Sequence, residues 1–286
     1  MEFRTLSPNS TDNLLKVMKE NQDNHFRFGA GYTDLLPELQ EKMELDLTII
    51  NLAKLKDDHF TSIQVNENGI TIGSLATMFD VLKHNHLQQL PVLIEAVESL
   101  ASAQIRAVAT VGGNICTASP AGDVSCALTA LNASCEILNT EGQIRTVPLK
   151  RFFTSVKTTV LKRTEILRSI LVPNHNFSDH PVSGFIKIGE RNSMEIALAS
   201  LAYHFIIENS GRVSSAGIAL GSVAETVQYA KTACEFISGK IFRQMTETQK
   251  EKFTDLVLDY ANPISDIRAS AWYRRQVLWN VTKIIL

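Results

Sequence analysis

Two glycine-bearing passages hold most of the residues that could do chemistry. The first runs Arg27-Phe28-Gly29-Ala30-Gly31-Tyr32-Thr33-Asp34, where a short apolar run gives way to a turn. Glycine lets a backbone approach a bulky anion, and successive N–H groups in such a turn form a nest for phosphate oxygens. Thr33 adds a hydroxyl donor. The second runs Thr110-Val111-Gly112-Gly113-Asn114-Ile115-Cys116-Thr117-Ala118-Ser119-Pro120-Ala121-Gly122-Asp123. Its density of Gly, Ser, Thr and Asn offers many N–H and O–H donors in a compact loop. A pyrophosphate needs such donors and has little need of a lysine where backbone dipoles face it. Asp123 has two readings: a cap for the helix that follows, or an acceptor for a cofactor hydroxyl or ring N–H. Neither passage is GxGxxG, nor GxxxxGK followed by Ser or Thr, which disfavours a Rossmann dinucleotide fold and a P-loop nucleotidase.

Other candidates carry less. Cys116, Cys126, Cys135 and Cys234 form no CxxC pair, so neither a zinc ribbon nor an iron–sulfur cluster held by this chain alone is expected. Their small or apolar neighbours suggest buried thiols, with Cys116 set apart by its place in the second passage. His84-Asn85-His86 lacks the ββα–metal arrangement of a nuclease and reads as a surface pair. His175 and His180 flank a polar stretch with no third ligand nearby in sequence. Lys157, Lys162 and Arg163 read as a solvated basic edge.

Positioning these passages falls to alternating helix and strand signals. Ser10-Thr11-Asp12 can cap a helix bearing Leu14, Leu15, Val17 and Met18. Strands over residues 26–30 and 47–51 flank a helix over 35–43, a βαβ-like opening. Asn68-Gly69 supplies positive φ angles for a hairpin between strands 62–65 and 70–72. Helices are expected over 75–82, 93–100 and 123–131, with 110–114 a loop between the last two. Strands 134–138, 144–148 and 165–172 follow, and the polar run 174–181 is the clearest boundary. Beyond it, strands 183–189, 196–207 and 213–221 precede helices 224–238, 246–260 and 268–285. That order predicts an α+β unit with helices on one face of an antiparallel sheet.

Composition bounds the classes. The 286 residues, 44% hydrophobic and 20% charged, suit two or three compact units with a sizeable core. A formal net charge of −2 gives non-specific nucleic-acid binding no electrostatic support. No apolar run reaches the roughly 18 residues that span a bilayer, and the N-terminal residues lack a signal-peptide pattern, so a cytoplasmic protein without membrane contact is expected.

Ala30-Gly31-Tyr32-Thr33-Asp34-Leu35-Leu36 resembles the AGGTDLL loop of the FAD-binding medium subunits of molybdenum hydroxylases, the family of xanthine, carbon monoxide and nicotinate dehydrogenases. Gln104-Ile105-Arg106, Thr110-Val111-Gly112-Gly113-Asn114, Ser119-Pro120 and Asp123 resemble its QIRN…TxGGN…SP..D signature. Phe185-Ile186-Lys187, with Arg191 and Ile196-Ala197, resembles its FxK…R…DIA strand pair. Ala271-Trp272-Tyr273-Arg274-Arg275 resembles the AxYRR start of its last helix. The resemblance covers essentially the whole chain. It departs at Tyr32 (the second glycine of AGG), Ala107 (the asparagine of QIRN) and Glu195 (the aspartate before Ile196). Leu100 stands where some members place an aromatic near the flavin.

The resemblance implies an α+β fold: a two-lobed FAD-binding domain of the vanillyl-alcohol-oxidase (PCMH) type over residues 1–175, with lobes of about 1–56 and 57–175, then a C-terminal α+β domain over 176–286 with an antiparallel sheet and helices. It implies that Arg27, Phe28, Gly29, Ala30, Gly31, Tyr32, Thr33 and Asp34 hold the FAD diphosphate through their backbone. Thr110, Gly112, Gly113 and Asn114 would form the second cofactor-binding loop, with a polar contact from Asp123. Ile166 and Leu167 would pack the flavin ring, and Lys187 would contact the cofactor. The implied role is electron transfer, with FAD here and molybdopterin and [2Fe-2S] clusters on partner subunits of a hetero-oligomer. The substrate, a purine or N-heteroaromatic, would sit on a partner; NAD is a candidate acceptor. No side chain of this chain is expected to be catalytic or to bind a metal. The alternatives are a free-standing flavoprotein oxidoreductase of the same fold, and an assembly protein that has lost FAD.

Overall fold

The computed structural model describes residues 3–42, 44–174, 177, 181–190 and 195–286. The first lobe runs β1 (Arg4–Leu6), α1 (Thr11–Glu20), β2 (Phe26–Gly29), α2 (Leu35–Glu41) and β3 (Thr48–Asn51), with its strands parallel in the order β1-β3-β2. The expected βαβ opening is there, preceded by a short strand that no periodicity announced. Ser10 Oγ accepts from the Asn13 N–H to start α1, which buries Leu14 and Met18 with Ile50 and Leu52. Leu35 and Leu39 of α2 pack instead with Leu47 and Ile49. Ile49 and Ile50 therefore serve opposite layers, as neighbours on a strand must.

The second lobe contains α3 (Asp58–Thr61), β4 (Ile63–Asn66), β5 (Gly69–Gly73), α4 (Met78–Lys83), α5 (Pro91–Glu98), α6 (Ala103–Arg106), α7 (Val111–Thr117) and α8 (Asp123–Ala130). Strands β6 (Ser134–Asn139), β7 (Ile144–Pro148), β8 (Phe153–Ser155), β9 (Thr158–Thr159) and β10 (Glu165–Pro173) complete it. The order β4-β5-β10-β6-β7 makes an antiparallel sheet, with β8 and β9 a separate hairpin. Thr77 and Asp80 form a capping box that starts α4 three residues later than expected. The glycine passage 110–114, expected as a loop, is the first turn of helix α7. Two glycines disfavour a helix, but Thr110 caps it through the Gly113 N–H, and the loop after β5 supplies acceptors, Ser74 O and Ala76 O, for its first two donors.

The last third forms an antiparallel sheet of β11 (Val182–Ile188), β12 (Ala199–Ile207), β13 (Val213–Gly221) and β14 (Gln228–Tyr229), followed by α9 (Lys231–Ile237), α10 (Glu247–Leu258) and α11 (Ala271–Ile284). One face of this sheet packs on α9, α10 and α11 through Leu201, Phe205 and Ile218. The other face carries Phe185, Ala202 and Ala219, which share a core with α5 and α8. Helices thus cover both faces, where the sequence suggested one; the second cover comes from the preceding lobe. The expected helix 224–238 is split, because residues 228–229 pair with Leu220 and Ala219 of β13 before α9 begins. Most of the boundary 174–181, with His175 and His180, lies outside the described residues, as does Arg191. Among the described residues no helix is long and apolar enough to cross a membrane.

Candidate functional site

A cavity of about 670 Å³ lies between the first lobe and the α7 side of the second, a volume typical of cofactor sites. From the first passage Arg27, Phe28, Ala30, Gly31, Tyr32, Thr33 and Asp34 line it; from the second, Thr110, Gly112, Gly113 and Asn114; from β10, Ile166 and Leu167. Gly29, Asp123 and Lys187 are not part of the wall. Leu100 is, together with Leu75, Met78 and Cys116. The other three cysteines are buried.

The first passage is bent by Tyr32, whose φ of 62° places it in the left-handed region at the position where the resemblance has glycine. That costs a non-glycine residue about 1 kcal/mol. Its ring folds back over Gly29, where a Cβ would lie 2.4 Å from the Tyr32 Cζ, and packs with Leu35, Leu39, Leu47 and Ile49. Gly31 is pressed against the second lobe: a Cβ there would lie 2.1 Å from the Val108 carbonyl oxygen. Leu36 N and Glu38 N donate to the carbonyls of Tyr32 and Asp34, but among the described residues the N–H groups of Gly31, Tyr32, Thr33 and Asp34 meet no protein acceptor. Four successive unpaired donors in one cavity-lining turn form an anion nest.

The second passage has spent its donors. Val111 N donates to Ala76 O at 2.9 Å, Gly112 N to Ser74 O at 2.7 Å, and Asn114 N to Thr110 O at 3.1 Å; Gly113 N donates to Thr110 Oγ1 at 3.0 Å. Gly112 is glycine because Ser74 occupies its side, with a Cβ falling 2.5 Å from the Ser74 Cβ and 2.6 Å from its carbonyl oxygen. What this turn offers a ligand is side-chain chemistry. Asn114 Oδ1 accepts from Ser125 Oγ at 3.3 Å, and its amide NH2 meets no acceptor among the described residues. Thr117 Oγ1 donates to Asp34 Oδ2 at 2.8 Å and so ties the two passages together.

Asp123 does not cap α8. Gly122 occupies the cap position, and no side chain supplies the cap bond. Asp123 Oδ2 instead accepts from Lys187 Nζ at 2.6 Å, and the same ammonium lies 3.3 Å from Ser99 O. Burial pushes the Asp123 carboxyl up to about 6 even though Lys187 pulls it down. Asp123 Oδ1 is buried with no hydrogen-bond partner among the described residues. Since Leu100 and Ala101, next to Ser99, line the cavity, this ion pair stands directly behind the wall.

A charge cluster on the wall had no signal in the sequence. Arg27 Nη2 donates to Glu38 Oε2 at 2.7 Å, Arg27 Nη1 to Glu44 Oε1 at 3.0 Å, and Lys157 Nζ to Glu38 Oε1 at 2.9 Å. Arg27 first and Lys157 second hold the Glu38 carboxyl below its usual range. Lys157, read as part of a solvated edge, is thus a cavity residue; 119 positions separate it from Glu38. Arg163 of the same basic group lies over the Phe26 ring. With the free N–H row, the cations, and the apolar wall of Leu75, Met78, Leu100, Ile166 and Leu167, the residues present fit a dinucleotide with a flat ring.

Residues 1–175 match the family model described as the FAD binding domain in molybdopterin dehydrogenase, and residues 185–286 the CO dehydrogenase flavoprotein C-terminal domain. The chain belongs to this family, the FAD-binding subunits of the molybdenum hydroxylases. It is 26% identical over 286 residues to the nicotinate dehydrogenase FAD-subunit of Eubacterium barkeri, covering 99% of this chain and 94% of that one. It is 30% identical over 262 residues to the xanthine dehydrogenase FAD-binding subunit of Escherichia coli O157:H7, covering 90% and 86%. Carbon monoxide dehydrogenase from Hydrogenophaga pseudoflava shares the fold with a TM-score of 0.89 at 24% identity, covering 99% of this chain and 96% of that one. The α+β architecture expected from the sequence, a PCMH-type FAD domain followed by a C-terminal sheet and helices, is therefore present. The chain is an oxidoreductase subunit of the xanthine-dehydrogenase-like type, with FAD as its family's cofactor.

Proposed function

We propose that this chain is the cytoplasmic FAD-holding electron-transfer subunit of a multi-subunit molybdenum hydroxylase. In this reading a partner chain with [2Fe-2S] clusters delivers electrons, a molybdopterin chain oxidises a purine or N-heteroaromatic substrate, and an external acceptor such as NAD removes the electrons. The names of the relatives support it: both are FAD subunits of dehydrogenases, one for nicotinate and one for xanthine. This chain also spans only 18% of the plant xanthine dehydrogenases it matches, so the same unit occurs there within much longer proteins.

The observation that carries the reading is the row of unpaired N–H groups from Gly31 to Asp34 on the wall of a cavity shared with the Gly112–Asn114 turn. Bound FAD would supply the redox chemistry, taking electrons singly and releasing them as a pair. The chain's own residues bind and orient. The Gly31–Asp34 donors would hold the diphosphate, and the Asn114 amide would add one directed hydrogen bond. Leu75, Met78, Leu100, Ile166 and Leu167 would keep water from the ring. Lys187 and Asp123 would place a fixed ion pair, with one unfilled acceptor oxygen, behind the ring's end of the cavity. No proton transfer by a side chain is needed.

Purification of the tagged full chain from its native host, with flavin, iron and molybdenum analysis and identification of co-purifying chains, tests the reading. FAD with iron, molybdenum and two further polypeptides is the expected result. FAD alone would favour a free-standing flavoprotein, and an intact complex without flavin would favour an assembly protein.

A further inference from the structure

Three charged side chains on the cavity wall are committed to one another. Glu38 Oε2 accepts from Arg27 Nη2 at 2.7 Å, and Glu38 Oε1 accepts from Lys157 Nζ at 2.9 Å. Arg27 and Glu38 belong to β2 and α2 of the first lobe, whereas Lys157 sits in the turn between β8 and β9 of the second. One carboxylate therefore bridges the lobes across the cavity that both line. Each of its oxygens takes a charge-assisted hydrogen bond from a different cation, which is how a phosphate is held between an arginine and a lysine. Both cations have supports besides Glu38: Glu44 Oε1 holds the other guanidinium nitrogen of Arg27 at 3.0 Å, and the backbone N–H of Lys157 donates to Ala118 O at 3.0 Å, which fixes the turn that carries its mobile ammonium.

We propose that Glu38 is an internal stand-in for an anion: it keeps Arg27 and Lys157 poised across the cavity and yields both to the diphosphate of the incoming dinucleotide. The proposal rests on the FAD reading above and extends it. Lys157 becomes a cofactor-binding residue, and Glu38 the group the cofactor displaces. The exchange is feasible in space, because the Glu38 side chain is one-third exposed and that of Lys157 63% exposed. Glu38 can turn to water while Lys157 follows the new anion. A diphosphate carries more negative charge than the carboxylate it replaces, so the exchange favours the ligand, and Glu38 sets by how much.

The sign of the effect separates this role from a merely structural bridge. If Glu38 only tied the lobes, losing its charge would loosen the cavity and weaken binding. If it competes, losing its charge frees both cations and strengthens binding. The test titrates the flavin-free full chain with FAD, and separately with ADP, which carries the diphosphate without the isoalloxazine. Glu38→Gln should tighten both by about tenfold, and Lys157→Met should weaken both by about as much, the worth of one charge-assisted hydrogen bond. Lys157→Arg should restore most of the loss. In the Glu38→Gln, Lys157→Met double variant the gain from Glu38→Gln should shrink, since one of the freed cations is gone. Unchanged or weaker FAD and ADP binding by Glu38→Gln would overturn the proposal while leaving the flavin reading intact. A wild-type chain that binds neither FAD nor ADP would overturn both.

Discussion

The two glycine-bearing turns look alike in sequence, line one cavity, and differ in what their backbones have left to give. In the turn at Gly31–Asp34 four consecutive N–H groups have no acceptor among the described residues. In the turn at Val111–Asn114 every N–H is already bonded, to Ala76, Ser74 and Thr110. Both turns contain a glycine with no room for a Cβ, against Val108 in the first and Ser74 in the second. Glycine content therefore reports close packing in both, and only the donor accounting separates an anion nest from a folded helix start. The first turn is built to bind, and the second to seat α7 on the loop after β5 while presenting Asn114.

The largest expected effect breaks the second turn. Gly112→Val places its branched side chain into Ser74 backbone and should cost about 3 kcal/mol or more in denaturant unfolding, with or without FAD. Gly113→Ala meets only the Thr110 hydroxyl, at 2.9 Å, and should stay within about 1 kcal/mol of wild type. Equal damage at the two glycines would contradict the packing assignment.

Asp123, at the far end of the same passage, should show itself through pH. Its carboxyl is raised from 3.8 to about 6, so the folded state holds the proton more tightly than the unfolded state does. The contribution to stability is fully present below the unfolded value and is lost as pH rises through about 6. Asp123→Asn should remove that slope, a difference on the order of 3 kcal/mol across the window, read from thermal midpoints against pH. An unchanged slope would place the titration elsewhere.

Smaller effects sharpen the contrast. Thr110→Ala removes the cap from α7 and should cost about 1 kcal/mol while leaving FAD binding largely intact. Loss of FAD at unchanged stability would instead mean that the second turn's backbone binds the cofactor. Tyr32→Gly relieves a left-handed residue but gives up the ring's packing, so stability should move by less than about 1 kcal/mol, and FAD should be retained because the N–H groups remain.

Much of this was legible before any coordinates. Residues 26–51 alternate strand and helix signals with little ambiguity, and the hairpin expected at Asn68-Gly69 is there, although Gly69 alone takes the positive φ expected of both and the turn falls on Glu67-Asn68. Thirteen positions named from the two passages and from β10 do meet at one cavity. The helix at 111–117 was hidden because its glycines and Val111 argue for a loop, and its acceptors at Ser74 and Ala76 are distant in sequence. The strand at Gln228–Tyr229 was hidden within an apolar run of helical length, because its pairing with β13 is tertiary. Lys157 was missed for the same reason as Ser74: a lysine in a short hairpin and a carboxylate in the first lobe share no local pattern. Of the two readings open for Asp123 the cap fails, because Gly122 takes that position, and nothing local reveals its partner Lys187 on β11.

Amide hydrogen exchange of the flavin-free and FAD-loaded full chain tests the difference between the turns most directly. The N–H groups of Gly31–Asp34 should exchange rapidly without FAD and become protected when it binds, whereas those of Val111–Asn114 should be protected in both states. Protection that appears at Val111–Asn114 only with FAD, with Gly31–Asp34 unaffected, would contradict the account.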